Sequence, residues 1–257
     1  MSTPVEITLA GGVQTIRLNR PDKKNALTLP MYQAMTEALT AADADPAIAV
    51  SVFEGLPGAF CAGNDIEDFL GFARSGELGA PILAFLRALV AARKPLIAAV
   101  DGLAIGIGTT LLFHCDLAFA TPNAVFKTPF VDLALVPEAA SSLLAPRLMG
   151  QARAFELLAL GAPFDAAKAE RVGLVNAVVA ADDLSITVAR AALALAQKPP
   201  GALAAARALI RGDTVDILAR IDQEAAEFAA RLRSGEAREA FTAFLEKRKP
   251  DFSRFRG

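Results

Sequence analysis

Residues 100–150 read VDGLAIGIGTTLLFHCDLAFATPNAVFKTPFVDLALVPEAASSLLAPRLMG, and the reading of this stretch decides the fold. Gly102, Gly106 and Gly108 space a turn between an apolar strand and an apolar helix. Short strand-like pieces follow, and a second helix is expected to open at Pro137-Glu138. A lone carboxylate at a helix start, downstream of a turn with accessible backbone N–H groups, joins a proton acceptor to a holder of negative charge. Residues 101–108 (DGLAIGIG) lack the lysine of a phosphate loop and the glycine spacing of a dinucleotide site. Their glycines are better suited to presenting backbone donors. Two N–H groups from separate loops, aimed at one point, make an oxyanion hole worth about 3–4 kcal/mol per donor to a developing anion.

Upstream, residues 5–9 and 13–18 alternate around Gly11-Gly12, the pattern of a β-hairpin. Pro30 opens a helix with Met31, Met35, Ala38, Leu39 and Ala42 at helical spacing, and Asp45-Pro46 stops it. Residues 48–53 and 95–100 are mostly apolar runs, as in strands buried on both faces. Between them lie a small-residue loop (58–66), a polar segment that reads as a cover (71–79) and a helix (81–92). Gly63 permits close backbone approach, and Asn64-Asp65 suits the cap of a short helix.

Downstream, helices are expected at 151–160, 165–171, 184–196 and 202–210, with a strand at 175–179. A long amphipathic helix then takes Val215, Leu218, Ile221, Ala225, Phe228 and Leu232 as its apolar stripe. The alternation of strand and helix to about residue 195 says α/β. We expect a core over 1–195 carrying the site. A helical region over 196–257 would bury its Phe/Leu stripe on its own core or on a neighbouring subunit.

The chain is 54% hydrophobic, ample for a buried core, yet no apolar run approaches the ~20 residues of a membrane helix. A net charge of −2 argues against general nucleic-acid binding. The N-terminus carries no secretory pattern and the C-terminus no peroxisomal address, so the expected location is cytoplasmic. Arg248, Lys249, Arg254 and Arg256 form either a solvated tail or a patch for an anionic ligand. Cys61 and Cys115 have neither metal nor redox spacing and read as buried thiols; no metal cluster is visible. His114, the single histidine, reads as a packing residue. Glu138 admits two readings. A glutamate in a first helical turn is common because the dipole favours it, but its flanking leucines, valine and alanines are unusual. Burial would raise its pKa and a helix N-terminus would lower it.

Several signposts together resemble the crotonase superfamily, also called enoyl-CoA hydratase/isomerase, over nearly the whole chain. They are Asn19-Arg20-Pro21 with Asn25-Ala26-Leu27, and Phe60-Cys61-Ala62-Gly63-Asn64-Asp65-Ile66. Lys94-Pro95, Ala99-Val100, Leu103-Ala104-Ile105-Gly106 and Cys115-Asp116 follow, then Glu239-Ala240-Phe241, Leu245, Arg248-Lys249-Pro250 and Ser253. The resemblance implies a spiral of ββα turns with a C-terminal helical trimerisation region, and a homotrimer or dimer of trimers. It implies a coenzyme A thioester as substrate, with no separate cofactor. The oxyanion hole falls on the backbone N–H groups of Asn64 and Ile107, and the CoA-binding region on Lys24, Ala26, Ala62, Asp65 and Ile66. The C-terminal basic residues would lie near CoA phosphates.

Departures from the family pattern narrow the reaction. Hydratases of the family carry two glutamates, which would fall at Thr110 and Phe130; neither is acidic here. Pro137-Glu138-Ala139-Ala140-Ser141-Ser142 is similar to the signature of the Δ3,Δ2-enoyl-CoA isomerases, in which that glutamate is the single acid/base. Phe130 and Leu135 would then line the acyl pocket. The alternatives are another crotonase-type reaction through an enolate, a hydratase, a thioester hydrolase, or a non-catalytic acyl-CoA-binding trimer. Pairing of Glu138 with an arginine such as Arg147 would favour the last.

Overall fold

Gly11 and Gly12 both take positive φ (58° and 78°) and turn β1 (Val5–Ala10) back on β2 (Val13–Leu18). The pair runs antiparallel from Val5↔Leu18 to Ala10↔Val13. The structure, a computed structural model, describes residues 3–65, 71 and 79–256. Helix α1 (Leu29–Ala44) follows, with Pro30 in its first turn, where a missing N–H costs nothing.

A repeating unit then sets the architecture. Strand β3 (Val50–Glu54) is followed by β4 (Ala59–Cys61), β5 (Leu96–Val100) by β6 (Leu103–Ile105), and β7 (Leu117–Ala120) by β8 (Val125–Lys127). The first member of each pair joins one parallel sheet and the second joins another. With β9 (Phe164–Asp165) and β10 (Ala177–Val178), the sheet orders are β1-β2-β3-β5-β7-β10 and β4-β6-β8-β9. Helices α2 (Ala80–Ala91) and α3 (Ile107–Thr110) stand between successive pairs, so the chain climbs as the expected ββα spiral. Gly102 shows how closely the turns stack. At φ +74°, an added Cβ would lie 2.1 Å from the Gly58 carbonyl oxygen.

The first sheet is covered on both faces, which explains its continuous apolar strands. Val50, Val52, Ile97 and Ala99 pack on Leu184, Val188 and Ala192 of a helix at Ala181–Ala196. Phe53, Leu96, Ala98 and Val100 face the interior with Met35 of α1 and Phe85 and Leu89 of α2.

The remaining helices are α4 (Ser141–Leu158), α5 (Ala166–Arg171), α6 (Ala181–Ala196), α7 (Pro200–Arg211), α8 (Val215–Leu232) and α9 (Gly235–Leu245). Ile217, Ile221, Phe228 and Leu232 of α8 and Phe241 of α9 belong to the same apolar cluster as the spiral interior. Of the expected stripe of α8, Ile221, Phe228 and Leu232 are buried and Leu218 packs against the core, whereas Val215 is exposed, and Ile217 and Glu224 are buried in addition. Two further expectations need correction. The second helix does not open at Pro137-Glu138 but at Ser141, after two left-handed alanines. At Gly150 the backbone leaves the helix (φ 77°, ψ 160°), and a second helical stretch runs from there to Leu158, where a helix is expected over 151–160. The turn at 101–108 contains the strand β6 and the first residues of α3. Residues 72–78 of the expected cover, and the short helix after Asp65, lie outside the described residues. Among the described residues no helix is long and apolar enough to cross a membrane.

Candidate active site

Two loops are tied together before any chemistry is possible. Asn25, fully buried at φ 58°, donates through Nδ2 to the Ala59 carbonyl (2.8 Å) and accepts from the Arg20 N–H (2.8 Å). Arg20 pairs with Asp65 (2.6 Å), and Tyr32 Oη donates to Asn64 Oδ1 (2.6 Å). The Leu27 N–H donates to the Gly63 carbonyl, and the Asp65 N–H to the Leu27 carbonyl. Asn64 is thus held by its side chain and by both neighbours, while among the described residues its own N–H has no acceptor. The N–H of Ile107, the first residue of α3, likewise has none. Gly106 before it sits at φ 55°, ψ −120°, a conformation that glycine alone tolerates.

Glu138 stands on a turn built from the opposite side. Ala139 and Ala140 take left-handed φ of 61° and 53°, which costs roughly 1–2 kcal/mol each without glycine. Local bonds offset this. The Glu138 carbonyl accepts from the N–H and Oγ of Ser141 (3.0 and 2.6 Å), and the Ala139 carbonyl accepts from His114 Nε2 (2.8 Å). Glu224 of α8 accepts from the Ala140 N–H (2.6 Å), the Ser142 N–H (3.0 Å) and Ser142 Oγ (2.5 Å). The Glu138 side chain is 3% exposed, and among the described residues neither of its carboxylate oxygens has a hydrogen-bond partner.

A cavity of ≈ 300 Å³ brings these walls together. Ala26, Ala62, Asn64, Asp65, Phe130, Leu135 and Glu138 all line it, with Gly106 beside the buried Ile107. Lys23 and Phe244 line it as well, which no sequence argument anticipated. Lys24 does not line it; its carbonyl accepts from the Ala62 N–H and so joins the two loops. Ile66 lies outside the described residues.

Burial, and then the Glu224 charge, push the Glu138 carboxyl up to about 8. Burial holds His114 down at about 4, so it is neutral, with its proton on the Nε2 that faces the Ala139 carbonyl. Cys61 is buried, as expected, and burial raises its thiol to about 12, whereas Cys115, also expected to be buried, is only partly so. Arg147 pairs not with Glu138 but with Asp216 (3.8 Å). Of the C-terminal basic residues, Arg248 and Arg254 are engaged by Glu239 (2.5 and 3.0 Å).

The fold and this cavity define a ββα-spiral protein in which, of the two buried carboxylates on the cavity wall, Asp65 is paired with Arg20 and Glu138 has no hydrogen-bond partner among the described residues, facing two loops with open amides. A family model described as enoyl-CoA hydratase/isomerase matches residues 8–254, and the chain belongs to that family. It is 35% identical over 253 residues to rat enoyl-CoA delta isomerase 2, covering 96% of this chain and 64% of that protein's length. It is 33% identical over 246 residues to an Aspergillus fumigatus mevalonyl-coenzyme A hydratase, covering 92% and 90% of the two chains. A solved enoyl-CoA hydratase/isomerase from Pseudoalteromonas atlantica superposes with a TM-score of 0.92 at 35% identity, covering 98% and 100%.

Proposed function

We propose that this protein acts on acyl-CoA thioesters and shifts the double bond of a 3-enoyl-CoA to the 2-position. The observation that carries this reading is Glu138: one buried carboxylate on an apolar cavity, with both oxygens unpaired among the described residues and a pKa raised to about 8. Glu138 removes a proton from C2 of the acyl chain, and the C–H electron pair forms a dienolate with the thioester carbonyl. The Asn64 and Ile107 N–H groups take the oxyanion. The same carboxyl, now protonated, delivers its proton to C4, and the double bond settles between C2 and C3. One group serves as base and then as acid, which a pKa near neutrality suits.

Thr110 and Phe130 support isomerisation over hydration. Both are buried, and neither activates water, a loss of roughly 10²-fold or more per missing acid/base group. Phe130 also dries the cavity wall and protects the intermediate. Rat enoyl-CoA delta isomerase 2 favours the same reading, and the mevalonyl-coenzyme A hydratase favours a hydration reading. An assay of the purified protein with 3-hexenoyl-CoA, beside crotonyl-CoA, separates the two. Appearance of the conjugated 2-enoyl thioester without hydration supports the proposal; hydration as the faster reaction overturns it. Release of free CoA thiol would assign a hydrolase instead. The family resemblance further implies a homotrimer or a dimer of trimers, in line with the exposed Leu209 and Ile210 on α7. Sedimentation measures that mass directly.

A further inference from the structure

Glu224 is a second buried glutamate that the proton transfers above do not use. It lies on the apolar stripe of α8, between Ile221 and Phe228, where an aliphatic residue would ordinarily pack. Its two oxygens are fully employed at one place. Oε2 accepts from the Ala140 N–H, and Oε1 accepts from the Ser142 N–H and Oγ. Arg220, one turn earlier on α8, donates to the same Ser142 Oγ (3.1 Å). Ala140 is one of the two left-handed residues that turn the chain after Glu138. His114 grips the same turn from its other side, through the Ala139 carbonyl. Between Glu138 and Glu224 there is a void of only ≈ 10 Å³, walled by Leu86 and Phe228, with room for at most one water. Little solvent separates the two carboxylates, so the charge of one is felt by the other.

We propose that Glu224 is a positioning residue for Glu138, and that helix α8 thereby sets the placement and the charge state of the base. This rests on the reading of Glu138 given above. The bonds to Ala140 and Ser142 occupy Glu224 and fix the turn. They leave Glu138 with no donor of its own among the described residues. Burial raises the Glu224 carboxyl too, while the donors of Ser142 and Ala140 and the nearby Arg220 favour its ionised form; once ionised, its charge acts in the same direction as burial and favours the protonated form of Glu138. The other ionisable groups about Glu138 cannot substitute for it. Cys61 on β4 and His114 are neutral, and Arg220 is turned to Ser142. On α2, Arg87 is paired with Asp222 (2.7 Å), and Asp65 at the cavity wall is paired with Arg20.

The test compares wild type, Glu138→Gln, Glu224→Gln and Ser142→Ala on the full chain. Isotope-edited NMR of labelled glutamate carboxyl carbons follows titration, with the Glu138 signal assigned by its loss in Glu138→Gln. Kinetics with 3-hexenoyl-CoA give kcat, KM and their pH dependence. In Glu224→Gln the Glu138 midpoint should fall by about one unit, because a like charge has gone. The limb of kcat/KM that rises with pH should move down with it. Its kcat should fall about 10- to 100-fold with KM little changed, the signature of a misplaced base rather than lost binding. Ser142→Ala keeps the charge and removes one donor, so kcat should fall by a smaller factor while the Glu138 midpoint stays. A Glu224→Gln protein that folds and keeps the wild-type midpoint and kcat overturns the proposal, as does one that loses only thermal stability. If Glu224→Gln fails to fold, an unchanged kcat in Ser142→Ala overturns it. Full isomerase activity in Glu138→Gln would instead overturn the role of Glu138. A shifted Glu138 midpoint in Glu224→Gln would then still support the coupling between the two carboxylates.

Discussion

At Glu138, desolvation and a like charge act together, and the consequence is legible in both activity and stability. In the proposed reaction the base form takes the C2 proton, so kcat/KM should rise with pH through a midpoint near 8. A profile already flat from pH 5 upward contradicts this. The stability effect has the opposite sign. A carboxyl whose folded pKa is raised from 4.5 to about 8 stabilises the fold below its unfolded value, and that contribution is lost as pH climbs through the folded value. Glu138→Gln removes the titration. The variant should match wild type near pH 4 and exceed it by a few kcal/mol, to order of magnitude, at pH 9. Denaturant curves at the two pH values check this; equal stability at pH 9 would mean that Glu138 is not held in a desolvated site. The sequence made Glu138 a candidate through its apolar neighbours but left burial and helix dipole opposed. Structure resolves the opposition because Ala139 and Ala140 set the carboxylate apart from the helix that opens at Ser141.

At the level of elements, the strands and most helices could be read in advance because their cause is local. The mostly apolar runs at 48–53 and 95–100 became β3 and β5. The turn at 138–140 could not be read, because alanine gives no sign of left-handed backbone; it is enforced by His114 and Glu224, which are distant in sequence. The stripe of α8 was read only in part for a related reason: Ile221, Phe228 and Leu232 are buried as expected, but Val215 is not. A pattern seeking only apolar residues skips Glu224, although Ile217, Ile221, Glu224 and Phe228 are the positions that face inward. A carboxylate on such a stripe was the available signal. The stacking of the spiral gives a sharper test. Gly102→Ala would force a Cβ to 2.1 Å from the Gly58 carbonyl oxygen at φ +74°, where the nearest atoms all belong to the Gly58 backbone and no flexible side chain can yield. It should destabilise the protein by roughly 3 kcal/mol or more in chemical denaturation, and a loss within about 0.5 kcal/mol would show the turns to be looser.

For the whole molecule, the boundary expected near residue 195 marks a change in secondary structure without a break in the apolar core. Buried side chains of α8 and α9 share a cluster with α2 and the spiral interior, and α9 brings Phe244 to the cavity. Sequence could place the Phe/Leu stripe on helices but could not choose its partner, since that depends on where the chain returns in space. Phe228, 1% exposed, sits at the junction. Phe228→Ala should cost about 3–5 kcal/mol, with the loss spread over spiral and helices alike. Hydrogen exchange would show this. Protection lost from residues 215–245 alone, with β3, β5 and β7 unchanged, would mean that the C-terminal helices form a separate unit.

The most direct measurement is the rate of 3-hexenoyl-CoA isomerisation in wild type and in Glu138→Gln, with both proteins shown to be folded and to bind the acyl-CoA equally. Wild type should form the conjugated 2-enoyl thioester. The variant should bind the thioester and turn it over more slowly by about 10³-fold or more, because the proposed proton carrier has been removed. A Glu138→Gln protein that isomerises at the wild-type rate would contradict the assignment of Glu138 as the base.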